Sequence, residues 1–287
     1  MPETTRVTAN GLTFGALTWG DPQAPLALCL HGYPDTAHTW RHLGPDLAGQ
    51  GWRVVAPFTR GYGPTSLAPD DRYLIADLAN DALALHAALG GDDRAVLIGH
   101  DWGAVTAGAV GAQAPGRFAK LVTLSVPPTP ALLKPFYTPS ALGLAGRQAR
   151  MSWYFVYNQL PVERTLDRII PKLWRDWSPG YDATEDLAHV FDALRGPGRR
   201  RAALRYYRNN LAPRALAKTF TVSPRQPVLY LHGEQDGCMT PDLIRRSPSA
   251  LPPGSRVEHL PGVGHFLQLE DPETVNGLIT AWVGAPP

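Results

Sequence analysis

The chain has 287 residues, 44% of them hydrophobic, enough to bury the core of one large domain or of a domain carrying an insertion. Its formal net charge of +2 creates no long-range field, which argues against a protein built to grip nucleic acid or an anionic membrane. Two cysteines, Cys29 in an apolar stretch and Cys238 in a loop, make neither a disulfide framework nor a metal-ligand spacing, and Cys29 reads as core filler.

Residues 1–6 lack the basic, apolar, small-residue order of a signal peptide, and no apolar run approaches membrane-spanning length, so the expectation is a cytoplasmic protein with no membrane partner. Residues 7–9 and 12–19, joined by Asn10-Gly11, read as an opening hairpin. Short apolar runs at 26–30, 53–56, 95–98, 121–125, 227–231 and 256–260 read as strands. Helical spacing separates most of them, as at 75–89, and the alternation predicts βα units in a mainly parallel sheet.

The β rhythm stops after Ser125. From 127 to about 213 the chain is rich in Pro, Arg, Trp and Tyr and shows helical spacing only. The expected organisation is a core of residues 1–127 and 216–287 with a helical cap of residues 128–215 inserted in its second half. The fold class is α/β, a mostly parallel eight-stranded sheet flanked by helices, with the cap over the strand ends where such sheets place their ligands. Arg199-Arg200-Arg201, followed by Arg205 and Arg208, reads as a solvated helix face rather than a nucleic-acid patch, because no zinc spacing accompanies it.

Gly99-His100-Asp101-Trp102-Gly103 follows the apolar run 95–98 and precedes a run of small residues suited to a closely packed helix. A strand-to-helix turn with glycines two positions either side is a nucleophile elbow, whose tight geometry lifts the central side chain clear of the sheet. A carboxylate there needs no activating base, being ionised at neutral pH. It suits displacement at an sp3 carbon with formation of an ester, so the bond to be broken is the C–O of an epoxide or a C–halogen bond.

An elbow nucleophile predicts an acid and then a histidine later in the chain. Residues 229–236 run from an apolar strand into a polar loop ending at Asp236, and Gly262-Val263-Gly264-His265-Phe266 places a histidine after the next strand. Asp101, Asp236 and His265 are therefore the candidate triad. His31-Gly32-Tyr33-Pro34 follows the strand at 26–30, and the backbone N–H groups of Tyr33 and Trp102 are the candidate oxyanion hole.

His31-Gly32-Tyr33-Pro34, Arg60-Gly61-Tyr62-Gly63, Gly99-His100-Asp101-Trp102-Gly103, Asp236 and Gly264-His265-Phe266 together resemble the α/β-hydrolase fold epoxide hydrolases and their relatives, the haloalkane dehalogenases. The resemblance covers essentially the whole core. It departs where many relatives carry an Asp shortly before the Arg-Gly-Tyr-Gly turn and this chain has Phe58-Thr59. It implies ring-opening tyrosines in the cap, at Tyr154 within 152–161 and at Tyr207 within 205–209, with Tyr157 and Tyr206 as the alternative positions. A phenol stays protonated at neutral pH and can give a proton to the alkoxide that leaves an opening epoxide.

A halide needs N–H donors instead. Dehalogenases of this type pair the Trp after the nucleophile with an Asn after His-Gly or with a second cap Trp; here Trp102 is present but Tyr33 holds the Asn position. A fluoroacetate-type enzyme would carry an Arg where Trp102 stands. The reading is an epoxide hydrolase acting on a small hydrophobic epoxide, without metal or organic cofactor and without a nucleic-acid partner, as a monomer or homodimer. The alternatives are a haloalkane dehalogenase or a catalytically silent small-molecule binder.

Overall fold

The computed structural model describes residues 2–211, 223–245 and 250–286. The expected border between cap and returning core, at 215/216, lies outside the described residues. Eight strands form one sheet in the order β1-β2-β4-β3-β5-β6-β7-β8. They are β1 Glu3–Ala9, β2 Leu12–Trp19, β3 Leu26–Leu30, β4 Arg53–Pro57, β5 Val96–His100, β6 Lys120–Leu124, β7 Val228–Gly233 and β8 Arg256–Leu260. The first hairpin and the β2·β4 pair are antiparallel, and the remaining five pairs are parallel.

Burial explains the sequence patterns. Every residue of β3, β5 and β7 is buried, as expected of parallel strands covered on both faces, and their sequences are near-continuous apolar runs. β1 starts at Glu3 rather than at Val7, because this edge strand alternates exposed and half-buried positions and carries no apolar run. β5 extends two residues past the expected end at Ile98, so Gly99 and His100 belong to the strand. Helices α1 (Leu43–Gly49), α2 (Ile75–Ala88) and α3 (Trp102–Gln113) connect these strands. The small residues of α3 bring it close to the sheet: a Cβ added at Gly111 would lie 2.5 Å from Leu121 Cδ1.

Between β6 and β7 the described chain is helical. In the helix Leu166–Trp177, Leu166, Ile170, Leu173, Trp174 and Trp177 make one buried stripe. Trp174 stacks on Phe266 with ring centroids 3.5 Å apart and donates through Nε1 to Pro34 O at 2.9 Å, tying the helical segment to two loops of the sheet.

The arginine run does not form a simply solvated face, and that expectation is corrected. In the helix Arg199–Asn210, Arg200 pairs with Asp167 at 2.6 Å, Arg201 and Arg205 share Asp71, and Arg208 pairs with Glu163 at 2.6 Å. Arg199 donates to Thr65 O. Carboxylates from neighbouring segments face the run, and each part-exposed pair adds at most about 1 kcal/mol. Among the described residues no helix is long and apolar enough to cross a membrane.

Candidate active site

The end of β5 forces Asp101 into an unusual backbone conformation, φ 53° and ψ −117°, immediately before α3. Such a conformation costs about 1–3 kcal/mol and persists only where its surroundings enforce it. The glycines make it sterically possible. A Cβ at Gly99 would sit 2.2 Å from Gly103 O, and one at Gly103 would sit 2.0 Å from Leu30 O. Gly32 is equally constrained, since its Cβ would fall 2.3 Å from Asp101 Oδ1 and 2.6 Å from Trp102 N. That close approach lets the Tyr33 N–H donate to Asp101 Oδ1 at 2.7 Å.

Asp236 and His265 come from the loops after β7 and β8. His265 Nδ1 lies 2.9 Å from Asp236 Oδ2, while its Nε2 lies 3.7 Å from Asp101 Oδ2 and has no hydrogen-bond partner among the described residues. Asp236 Oδ1 accepts from the Cys238 and Met239 N–H groups at 2.7 and 2.9 Å. Burial alone would raise the Asp236 carboxyl, but the His265 charge and these donors hold it below the ordinary range. Burial alone would lower the His265 imidazole, but the carboxylate of Asp236, with Cys238 and Asp101 nearby, holds it well above its ordinary value.

Several residues that sequence reasoning missed hold this histidine in place. The His265 N–H donates to Trp177 O at 3.0 Å, and its carbonyl accepts from Ser125 Oγ at 2.5 Å and pairs with His100 Nε2 at 3.0 Å. Glu270 accepts from the Gly264 N–H at 2.7 Å and from Ser178 Oγ at 2.6 Å. None of these carries a motif of its own, and their roles appear only when loops distant in sequence meet.

Across from Asp101, a small cavity of about 40 Å³ is lined by Asp101, Trp102, Tyr154, Phe155, Tyr207 and Met239. Tyr154 and Tyr207 are buried, and desolvation pushes both phenols well above their ordinary value, helped by Cys238 for Tyr154 and by Asp101 for Tyr207. The alternative tyrosines point elsewhere. Tyr157 is half-buried and bonds Thr165 Oγ1 at 2.6 Å, and Tyr206 donates to Arg60 O at 2.7 Å. A second cavity, of about 20 Å³, is lined by Trp102, His31, Arg60 and Asp81 and not by Asp101.

Cys238 was not read as a site residue. It is buried, with its Sγ 3.2 Å from Tyr154 Oη. Among the described residues, one group of histidine, cysteine and carboxylate side chains is close enough to share a cation: Asp101, Cys238 and His265, whose ligand atoms lie within 4.8 Å of one another.

An eight-stranded sheet with a carboxylate on a strained strand-to-helix turn, and an acid and a histidine on the following strand ends, is the architecture of a known family. The chain belongs to the α/β-hydrolase fold family, whose model matches residues 25–272. Several of its relatives are named epoxide hydrolases. The chain is 30% identical to an epoxide hydrolase of Caballeronia sordidicola over 92% of its own length and 88% of the relative's. It is 29% identical to epoxide hydrolase A of Mycobacterium tuberculosis over 95% of this chain and 94% of that one. Among solved structures, an epoxide hydrolase from Vigna radiata superposes with a TM-score of 0.80 at 26% identity, covering 98% of each chain.

Proposed function

We propose that the chain is an epoxide hydrolase that converts a small hydrophobic epoxide to a vicinal diol through an ester on Asp101. One observation carries the reading: a carboxylate on the elbow faces a histidine–aspartate pair and, across one largely apolar cavity, two buried protonated tyrosines. The helical segment between β6 and β7 acts as the cap that closes this cavity over the strand ends.

Asp101 Oδ1 is engaged by the Tyr33 N–H, which leaves Oδ2 to attack. Oδ2 forms a bond to one epoxide carbon as that carbon's bond to oxygen breaks, and the departing alkoxide takes a proton from Tyr154 or Tyr207 while the other donates a hydrogen bond. His265, oriented by Asp236, then removes a proton from water, and the hydroxide adds to the ester carbonyl carbon. The developing charge falls on Oδ1, where the N–H groups of Tyr33 and Trp102 receive it. Collapse expels the diol oxygen, protonated by His265, and leaves Asp101 as a carboxylic acid. The acid's proton returns to the tyrosinate, which restores the carboxylate, so one epoxide and one water become one diol.

Incubation of the purified protein with terminal aryl and alkyl epoxides and with matched haloalkanes tests the reading. Diol formation without halide release is the expected result. Halide release without diol would replace it by dehalogenation, and saturable binding without turnover by a silent binder.

A further inference from the structure

We propose that Asp101, Cys238 and His265 form a three-ligand site for a thiophilic divalent cation of the Zn²⁺ class, and that its occupation switches the enzyme off. Nothing in the hydrolytic cycle requires a thiol, yet a buried one stands beside the nucleophile and the base. The three side chains offer one oxygen, one sulfur and one nitrogen, the donor set that Zn²⁺ favours. In a tetrahedral zinc site neighbouring ligand atoms are about 3.3–3.8 Å apart. His265 Nε2 and Asp101 Oδ2 are already 3.7 Å apart, and all three ligand atoms lie within 4.8 Å of one another.

Two features besides proximity point to a ligand. His265 Nε2 is buried, has no hydrogen-bond partner among the described residues and is directed at this cluster. Behind it, Nδ1 is held 2.9 Å from the Asp236 carboxylate. The carboxylate–histidine arrangement that orients a general base is also the outer shell that fixes a metal-binding histidine in its productive tautomer. Cys238 is held in turn: its N–H donates to Asp236 Oδ1 and its carbonyl accepts from Gln148 Nε2 at 3.0 Å. A small cavity lined by Tyr154 and Met239 reaches the Asp101 ligand of the cluster.

The charge balance is favourable. Two anionic ligands, a carboxylate and a thiolate, neutralise a divalent cation, and binding releases the thiol proton to solvent. Inhibition follows because the cation occupies the Asp101 oxygen and the His265 nitrogen that the reaction needs. That consequence rests on the proposed reaction, whereas the binding itself does not.

Cobalt(II) is the probe, since its thiolate complexes absorb in the near ultraviolet and its tetrahedral complexes absorb in the visible. Titration of the substrate-free protein should give one Co²⁺ per chain with a thiolate-to-cobalt band, displaced by Zn²⁺. Zn²⁺ should inhibit turnover reversibly, with activity restored by EDTA. In Cys238→Ser the thiolate band should vanish and the Zn²⁺ concentration for half-inhibition should rise at least about 100-fold; Cys238→Ala serves the same purpose if the serine variant does not fold. Absence of the band in the wild type, or a band and an inhibition unchanged in both Cys238 variants, overturns the proposal. So does a band that persists in Cys238→Ala and is lost in Cys29→Ala, the chain's other cysteine. The cobalt arm is read without substrate, so failure of the hydrolase reading leaves it standing.

Discussion

In the proposed reaction, a carboxylate rather than a hydroxyl at position 101 divides the chemistry into two steps that ask different things of their neighbours. The opening step needs a proton donor at the leaving oxygen, the role we propose for Tyr154 and Tyr207. Removing both phenols, in Tyr154→Phe/Tyr207→Phe, should slow alkylation of the enzyme by about 10²–10⁴-fold in stopped-flow measurements, with each single variant losing less. Unchanged alkylation in the double variant would reduce the tyrosines to packing. The second step needs a neutral imidazole. His265 sits between two carboxylates that hold its proton, and esterification of Asp101 removes one of those charges. Hydrolysis of the ester should therefore accelerate as pH rises until His265 is neutral, while the opening step does not require that deprotonation. An ester hydrolysis rate independent of pH from mildly acidic to alkaline conditions would exclude His265 as the base.

The same residue ties stability to pH. Because the folded-state value of His265 is raised, its contribution is complete below the unfolded value of about 6.5 and is lost as pH rises through the folded one. The stability gap between wild type and His265→Ala, measured by urea unfolding, should thus shrink from neutral to alkaline pH. Asp236 works in the opposite sense. Its lowered value gives stability that is present above about pH 3.9 and lost as pH falls through the folded value.

The elbow is a property of an element, the junction of β5 with α3. Gly99→Ala would place a methyl carbon 2.2 Å from Gly103 O, a contact with backbone that no rotamer relieves. The expected cost is at least about 2 kcal/mol, read as a lower urea midpoint, together with lost turnover because Asp101 is displaced. A variant as stable and active as the wild type would mean that the turn is looser than this geometry requires.

Elements were legible where burial leaves a one-dimensional trace. The buried strands β3, β5 and β7 are unbroken apolar runs, and the end of the β signal after Ser125 marked the helical segment. β1 was read only from Val7, since Glu3 to Arg6 bury almost nothing. The arginines of the helix Arg199–Asn210 were read as solvated because the carboxylates that meet them, Asp71, Glu163 and Asp167, lie far away in sequence. Glycine-framed Asp101 and His265 announce themselves through backbone demands visible in the sequence. Cys238, Glu270 and Ser178 make no such demand, and only the folded chain shows what they touch.

The whole molecule joins a sheet that presents Asp101, Asp236 and His265 with a helical segment that presents apolar and phenolic side chains. The wall of the cavity between them is mostly apolar, so in the proposed reaction the hydrogen bonds to the leaving oxygen would act in a low dielectric. Trp174 couples the two halves through Phe266 and Pro34, next to His265 in the first case and to Tyr33 in the second. This assembly has one central claim, that Asp101 becomes covalently bound to substrate before water acts. Mass spectrometry of His265→Ala after incubation with an epoxide tests it most directly, because loss of the base stalls the second step. The expected result is an added mass equal to the whole epoxide, located by proteolysis on Asp101 and absent in Asp101→Asn/His265→Ala. Diol released at an undiminished rate, or an adduct on any other residue, would contradict it.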